Sequence, residues 1–123
     1  MVNFNSFFQE FFFMRKIITD VKYIVSLFDV LVKKTIKGEA FNRSDYYCGI
    51  TNDVERRAKE HNAEFINYVE SDNKETAIAA ETLLGESGYD IGKKAGNGAR
   101  ENSVFVYIYK KTSETIEDVP DDV

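Results

Sequence analysis

The pattern of apolar and polar positions divides the chain into segments with helical or strand periodicity. Apolar residues recur at helical spacing near the start of the chain. The last segment with strand periodicity carries bulky residues on both faces, and we therefore expect it to be a central strand. Asn52 stands where an N-cap is expected. The predicted elements are, in order, a helix over about 14–35, a strand over 45–50, a helix ending near Asn62, a strand over 65–70, a helix over about 74–86 and a strand over 103–110.

Charge is unevenly distributed and limits the functions that the chain can have. The formal net charge is −5. Residues 1–43 carry seven Lys or Arg and four Asp or Glu, a balance of +3, which leaves −8 for residues 44–123. Because phosphate contacts dominate non-specific DNA affinity, an acidic chain is a poor non-specific DNA binder. An acidic tail could still leave a basic face elsewhere.

Composition also restricts the chemistry of any metal site. A single cysteine excludes an internal disulfide, and one histidine with one cysteine excludes a Cys/His zinc site. Any metal would be a hard cation bound by carboxylates and water. No uncharged run reaches the ~18 residues needed to cross a bilayer, and no signal peptide is evident, so we expect no membrane span and a cytoplasmic location.

Candidate chemistry begins in the segment that holds the only histidine and the only cysteine. Tyr47 and Gly49 point to one face of the predicted strand. Arg57 and His61 share one face of the helix that follows. Glycine within a strand often marks the close approach of a ligand or of another backbone.

Two further polar residues occur later in the chain. Glu81 falls on the apolar face of its predicted helix, where an unpaired carboxylate is costly. Asn97 lies in a glycine-rich loop over 88–102, which is long enough to be functional. With the earlier residues they supply a phenol, a guanidinium, an imidazole, a carboxylate and an amide, the groups that phosphodiester hydrolysis requires.

Each of these residues also has an ordinary structural explanation, which the sequence leaves open. These are a core aromatic for Tyr47, a pair with Glu60 or Asp53 for Arg57, a helix C-terminal cap for His61, a Lys or Arg partner for Glu81, and a turn for Asn97.

The segment from Tyr47 to His61 resembles the second half of the GIY-YIG nuclease motif. Tyr47 and Gly49 match its Tyr-Ile-Gly, Arg57 follows ten residues after Tyr47 like the catalytic arginine, and His61 lies one turn later. Glu81 resembles the metal-binding glutamate, and Asn97 is the best match for the late asparagine. The resemblance covers about residues 45–100.

The chain departs from the family in lacking a Gly-Ile-Tyr ahead of Tyr47. In the family that strand pairs with the Tyr-x-Gly strand and carries the tyrosine thought to be the general base. Tyr23 is the nearest preceding candidate, but it lies on the predicted helix. Alternatively, the strand over 103–110 pairs beside the strand over 45–50, and Tyr107 or Tyr109 replaces the missing tyrosine.

The resemblance implies an α+β fold: a small three-stranded, mostly antiparallel sheet flanked by helices, with an extra N-terminal helix. Residues 1–36 form the N-terminal amphipathic helical extension, 37–112 the GIY-YIG-like domain and 113–123 a disordered acidic tail. We expect the helix to pack on the domain's own core, with a dimer contact or a membrane-surface helix as alternatives.

The function implied is metal-dependent DNA endonuclease activity. Tyr47, Arg57 and His61 are the catalytic candidates, and Gly49 and Asn97 the candidates for substrate binding. Glu81 would bind Mg²⁺ or Mn²⁺. The alternative is a catalytically inactive binding module on the same scaffold, with a homodimer or another protein partner bound through the Phe-rich N-terminus.

Overall fold

The computed structural model describes residues 21–93, 95–96 and 98–119, and it has the predicted α+β class. Short 3₁₀ turns at Val21–Tyr23 and Arg43–Asp45 precede the first helix and the first strand. The helices and strands of the described residues are α1 (Ile24–Lys33), β1 (Tyr46–Thr51), α2 (Val54–His61), β2 (Phe65–Glu70), α3 (Lys74–Glu86) and β3 (Phe105–Lys110).

The last strand in the sequence, β3, lies in the middle of the sheet. The strand order is β1-β3-β2, and both pairings are antiparallel. Gly49 lies opposite Tyr107, and Tyr47 lies opposite Tyr109. The expected central position of the last strand is confirmed, and so is its pairing with the strand that carries Tyr47. On the free edge of β1, the Cys48 amide donates to the Asp90 carbonyl.

The sheet has an apolar face, covered by α1 and α3, and an aromatic face, covered by α2. Alternation along the strands separates the two faces, so Cys48 and Ile108 point into the apolar core while Tyr47 and Tyr107 point to the other side. The residues buried in the apolar core are Ile24, Phe28, Leu31, Val32, Tyr46, Cys48, Ile50, Val69, Ala77, Ala80, Leu84, Tyr89, Val106 and Ile108.

Helix α1 belongs to this core. The structure describes the predicted helix from its 3₁₀ turn at Val21 onward, and residues 1–20, with the Phe-rich stretch, lie outside the described residues. Phe28 and Val32 are fully buried against the sheet and α3. This is the arrangement expected for a helix that packs on its own domain. Within the described ranges, no helix combines the length and apolarity needed to cross a membrane.

The start of α2 differs from the sequence prediction by one residue. Asp53, and not Asn52, is the N-cap, because its carboxylate accepts the Arg56 amide at 3.1 Å. The Asn52 side chain instead accepts a hydrogen bond from the Arg56 guanidinium at 3.0 Å. The predicted start of α3 is confirmed, because the Asn73 side chain accepts the Thr76 amide at 2.8 Å.

The chain after β3 follows a defined path as far as Val119. Its backbone packs against the end of α2, where the Ile116 amide donates to the His61 carbonyl at 2.7 Å. The Asn62 side chain donates to the Glu114 carbonyl at 3.0 Å. Residues 114–117 therefore contact β3 and the end of α2, within the segment that composition predicts to be a disordered tail.

Candidate active site

The aromatic face of the sheet forms a second, smaller core between β1, β3 and α2. Tyr107 and Tyr109 project from the central strand, and Tyr47 projects from β1 and stacks on Tyr109 with ring centroids 5.3 Å apart. Phe65 stacks on Tyr107 at 4.3 Å from the other side. Three phenols are thus buried on a face that carries polar groups as well as rings.

His61 is fully buried at the centre of this aromatic cluster. Its Nε2 lies 2.7 Å from the Tyr107 hydroxyl and its Nδ1 lies 2.6 Å from the Ile116 carbonyl. Burial lowers the pKa of His61, and the nearby positive charge of Arg57 lowers it further. His61 thus bonds to β3 and the C-terminal segment as well as ending its own helix.

Arg57 lies one turn before His61 on the same face of α2 and is 9% exposed. Its Nη1 donates to the Glu60 carboxylate at 2.9 Å. It also hydrogen-bonds the Tyr107 hydroxyl. Burial lowers the pKa of the guanidinium, but the bonds to Glu60 and Tyr107 raise it above its ordinary value. The pair with Glu60 is the ordinary contact expected from sequence, whereas the bond to Tyr107 brings the guanidinium to the phenols.

Glu81 lies on α3, the helix that covers the apolar face of the sheet. The predicted position of Glu81 on the apolar face of this helix is confirmed. The buried residues of the helix are Ala77, Ala80, Glu81 and Leu84. One carboxylate oxygen accepts the Gly96 amide at 2.8 Å. Burial raises the pKa of Glu81 to about 7, although the Gly96 bond and the charge of Arg57 oppose the shift. The negative charge of Glu81 raises the pKa of both Tyr47 and Cys48, so this carboxylate lies beside the edge strand β1.

Tyr47 lies between these groups. Burial raises its pKa to about 12; Glu81 and Asp90 add to the rise, and Arg57 opposes it. Its hydroxyl also lies next to the glycine-rich loop, because a Cβ on Gly92 would be only 3.0 Å from the Tyr47 oxygen. The Tyr47 phenol therefore lies within electrostatic range of both Arg57 and Glu81.

Gly49 provides space for the second phenol. A Cβ at this position would overlap the Tyr107 hydroxyl and would lie 2.6 Å from its Cζ. The glycine predicted to bind substrate therefore lets Tyr107 extend across β1 toward α2. Its close neighbour is a side chain of the next strand, which is one of the reasons for a glycine within a sheet.

The structure brings Tyr47, Arg57, His61 and Glu81, the four titratable site residues predicted from sequence, near one another and near Tyr107, one of the alternatives named for the missing tyrosine. Asn97 lies outside the described residues. Sequence reasoning missed the contacts of Ile116 and Glu117, whose segment shows no periodicity. The Glu117 carboxylate accepts the Tyr109 hydroxyl at 2.9 Å.

Glu81 supplies one candidate metal ligand, a buried carboxylate with one oxygen bonded to the Gly96 amide. Across residues 21–93, 95–96 and 98–119 there is no cluster of three or more His, Cys, Asp or Glu side chains that could hold a metal ion. Mg²⁺ needs no such cluster, because it keeps several waters and takes one or two carboxylates together with substrate phosphate. A single carboxylate with a pKa of about 7 would ionise more fully beside such an ion.

Comparison of the chain with protein-family models, with curated proteins and with solved structures finds no match. The geometry of the aromatic face and of Glu81 is therefore the basis for the function proposed below.

Proposed function

We propose that this protein is a metal-dependent DNA endonuclease with a GIY-YIG-type site. The observation that supports the proposal best is the joint burial of Tyr47, Tyr107, Arg57 and Glu81 within electrostatic range of one another. They come from β1, β3, α2 and α3, four elements that are distant in sequence. The four groups therefore converge from separate elements, as the site of a phosphodiesterase requires.

The pairing of β3 with β1 supports the assignment of Tyr107 as the missing tyrosine. In the resembled family, a strand ahead of the Tyr-x-Gly strand pairs with it and carries a second tyrosine. Here β3 pairs with β1 from the other end of the sequence, and Tyr107 lies directly opposite Gly49. The proposed tyrosine thus reaches the site by a different chain connection.

Each group has a defined part in the proposed reaction. Arg57 would bind the non-bridging phosphate oxygens, because its guanidinium matches their geometry. Glu81 would hold Mg²⁺ or Mn²⁺, which would stabilise negative charge on the leaving oxygen when bound. Tyr107 or Tyr47 would orient the attacking water, and as a neutral phenol it would take the water proton only while giving its own hydroxyl proton to another acceptor.

A second candidate function is a binding module that has no catalytic activity. The observation in its favour is burial, since Tyr47, Arg57 and Glu81 are each at most 9% exposed and His61 is fully buried. A nuclease must admit a phosphate between these groups, whereas a binding module can keep them as a packed polar core. The acidic net charge favours the same alternative.

Plasmid nicking tests the two candidates. We expect the purified full-length chain to convert supercoiled plasmid to open circles with Mg²⁺ and to stop when EDTA is added. Arg57→Ala should reduce the rate by about 10²–10³-fold, as loss of a charge-stabilising donor does. The matched control is Arg56→Ala, which removes the neighbouring, more exposed arginine of the same helix.

Thermal unfolding gives a second readout that does not depend on cleavage. If Glu81 holds the ion, Mg²⁺ should raise the melting temperature of the wild-type chain but not that of Glu81→Gln. Absence of nicking by a folded wild-type chain, or nicking that Arg57→Ala leaves unchanged, rejects the nuclease proposal. The binding module is then the remaining candidate.

A further inference from the structure

The hydrogen bonds of His61 determine which of its nitrogens carries the proton. The Ile116 carbonyl lies 2.6 Å from Nδ1, and a carbonyl oxygen can only accept. Nδ1 must therefore be the protonated nitrogen. In the neutral ring this leaves a lone pair on Nε2, 2.7 Å from the Tyr107 hydroxyl, so Tyr107 donates to His61.

The other contacts of Tyr107 support the same direction of donation. The Arg57 guanidinium, which can only donate, hydrogen-bonds the Tyr107 oxygen. The phenol therefore accepts from Arg57 and gives its own proton to Nε2. The Tyr107 oxygen thus lies between the group proposed to bind phosphate and a base that is free to take a proton.

We propose that Tyr107 and His61 form a two-step proton relay, in which the phenol takes the proton of the attacking water and Nε2 of His61 takes the proton of the phenol. This inference rests on the function proposed above and identifies the final proton acceptor of that site. His61 is a positioning residue, because it acts through Tyr107 and does not touch the water.

The relay balances in atoms and charge. One O–H bond of the water breaks and its proton goes to the Tyr107 oxygen, while the Tyr107 proton moves to Nε2 of His61. The water oxygen forms a bond to phosphorus, and the bond from phosphorus to the leaving oxygen breaks, with the electron pair staying on that oxygen. His61 becomes an imidazolium and later loses a proton to solvent, while Nδ1–H stays bonded to the Ile116 carbonyl.

The groups around His61 suit an imidazole that is neutral at rest and charged only briefly. Burial and Arg57 lower its pKa, while Ile116, Glu117 and Glu60 raise it. The remaining titratable groups against the ring are phenols: Tyr47 from β1, and Tyr107 and Tyr109 from β3. The Tyr109 hydroxyl lies 3.2 Å from Nδ1 and donates to Glu117, so a carboxylate is connected to the side of the ring that keeps its proton.

Nitrogen NMR of the full chain tests the tautomer without any assay of activity. Because the protein has one histidine, its two ring nitrogens give unambiguous signals. We expect Nδ1 protonated and Nε2 bare at pH 7.5, with a titration midpoint below the ordinary value of 6.5. Tyr107→Phe should shift the Nε2 signal, whereas Tyr68→Phe, which removes the hydroxyl of the cross-strand neighbour of Tyr107, should not. A protonated Nε2 at rest overturns the relay, whatever the protein cleaves.

The pH dependence of nicking tests the relay itself. We expect the rate to fall on the acid side with the midpoint that NMR gives for His61. His61→Gln keeps an acceptor for Tyr107 but cannot take its proton, so it should lose this acid limb and about 10²–10⁴-fold of the rate. An unchanged profile in His61→Gln overturns the relay while the nuclease proposal stands. Absence of nicking by wild type with the expected tautomer overturns the nuclease and, with it, the relay as a catalytic step.

Discussion

At the scale of single residues, the fold tolerates polar groups on the aromatic face because most are hydrogen-bonded to one another. His61 satisfies both ring nitrogens, Tyr109 donates to Glu117, and Tyr107 lies between Arg57 and His61. Networks of this kind are stable only when every member has a partner. Glu81 differs from these residues, because its buried carboxylate accepts a hydrogen bond from a backbone amide, that of Gly96.

Glu81 should make the protein less stable as the pH rises. Its pKa is about 7 in the folded protein against 4.5 as the ordinary value. Between these values the folded state binds more protons than the unfolded chain, so the free energy of unfolding falls as pH rises through this window. The full difference corresponds to on the order of 3 kcal/mol. Glu81→Gln should remove this loss, as urea unfolding at about pH 5 and pH 8 would show.

The matched control for this measurement is Glu75→Gln, which changes an exposed carboxylate on the same helix. It should leave the pH dependence of stability as in wild type. Parallel pH profiles for wild type and Glu81→Gln would show that Glu81 is ionised at little cost and would contradict the burial argument.

Gly49 should be intolerant of even one added methyl group. An Ala Cβ would overlap the Tyr107 hydroxyl, which is held on its far side by His61. Overpacking of this kind costs about 1–3 kcal/mol. Gly49→Ala should lower stability by that amount in urea unfolding, and Tyr107→Leu in the same chain should recover part of it. Additive effects of the two substitutions would mean that the clash is not the cause.

At the scale of elements, the apolar periodicity predicted the helices and strands well because each pattern is local. The stripe of α3, with Ala77, Glu81 and Leu84 all inward, follows from a repeat of 3.6 residues. The strands that pair with β3 could not be predicted from local periodicity. The pattern within β3 is the same whether it pairs with β2 only or with both β1 and β2. The sequence therefore left Tyr107, Tyr109 and Tyr23 as alternatives, and the register shows that Tyr107 lies opposite Gly49 and Tyr109 opposite Tyr47.

The N-cap of α2 shows the limit of such predictions at an element boundary. Asn52 and Asp53 are adjacent, and both are good capping residues, so composition does not separate them. We expect Asp53→Ala to cost about 1 kcal/mol in the free energy of unfolding, because the Arg56 amide loses its acceptor. Asn52→Ala should cost less, since the Asn52 side chain bonds the side chains of Arg56 and Asn102. Equal losses in chemical denaturation would show that both residues cap the helix.

At the scale of the whole molecule, acidic residues are concentrated at the C-terminal end of the sequence, and the carboxylate of one of them, Glu117, accepts the Tyr109 hydroxyl. Residues 113–123 contain five carboxylates, as many as the formal net charge of −5. The path of residues 114–117 along the end of α2 could not be predicted from sequence. Glu114 and Ile116 contact His61 and Asn62 through backbone carbonyl and amide groups, and backbone groups leave no pattern in the sequence. The segment 114–117 thus carries two of these five carboxylates and also supplies the carbonyl that fixes the tautomer of His61.

Two truncations separate these effects. A chain that ends after Val119 loses only the last four residues and keeps the Ile116 and Glu117 contacts. A chain that ends after Thr112 loses these contacts and leaves Nδ1 of a fully buried His61 without its carbonyl acceptor, which costs about 1–3 kcal/mol. We therefore expect the shorter chain to unfold at lower urea concentration and the longer one to match wild type. The shorter chain should also bind DNA more tightly at low salt, because five negative charges are gone. Equal stability of the two truncated chains would show that the C-terminal segment does not support His61.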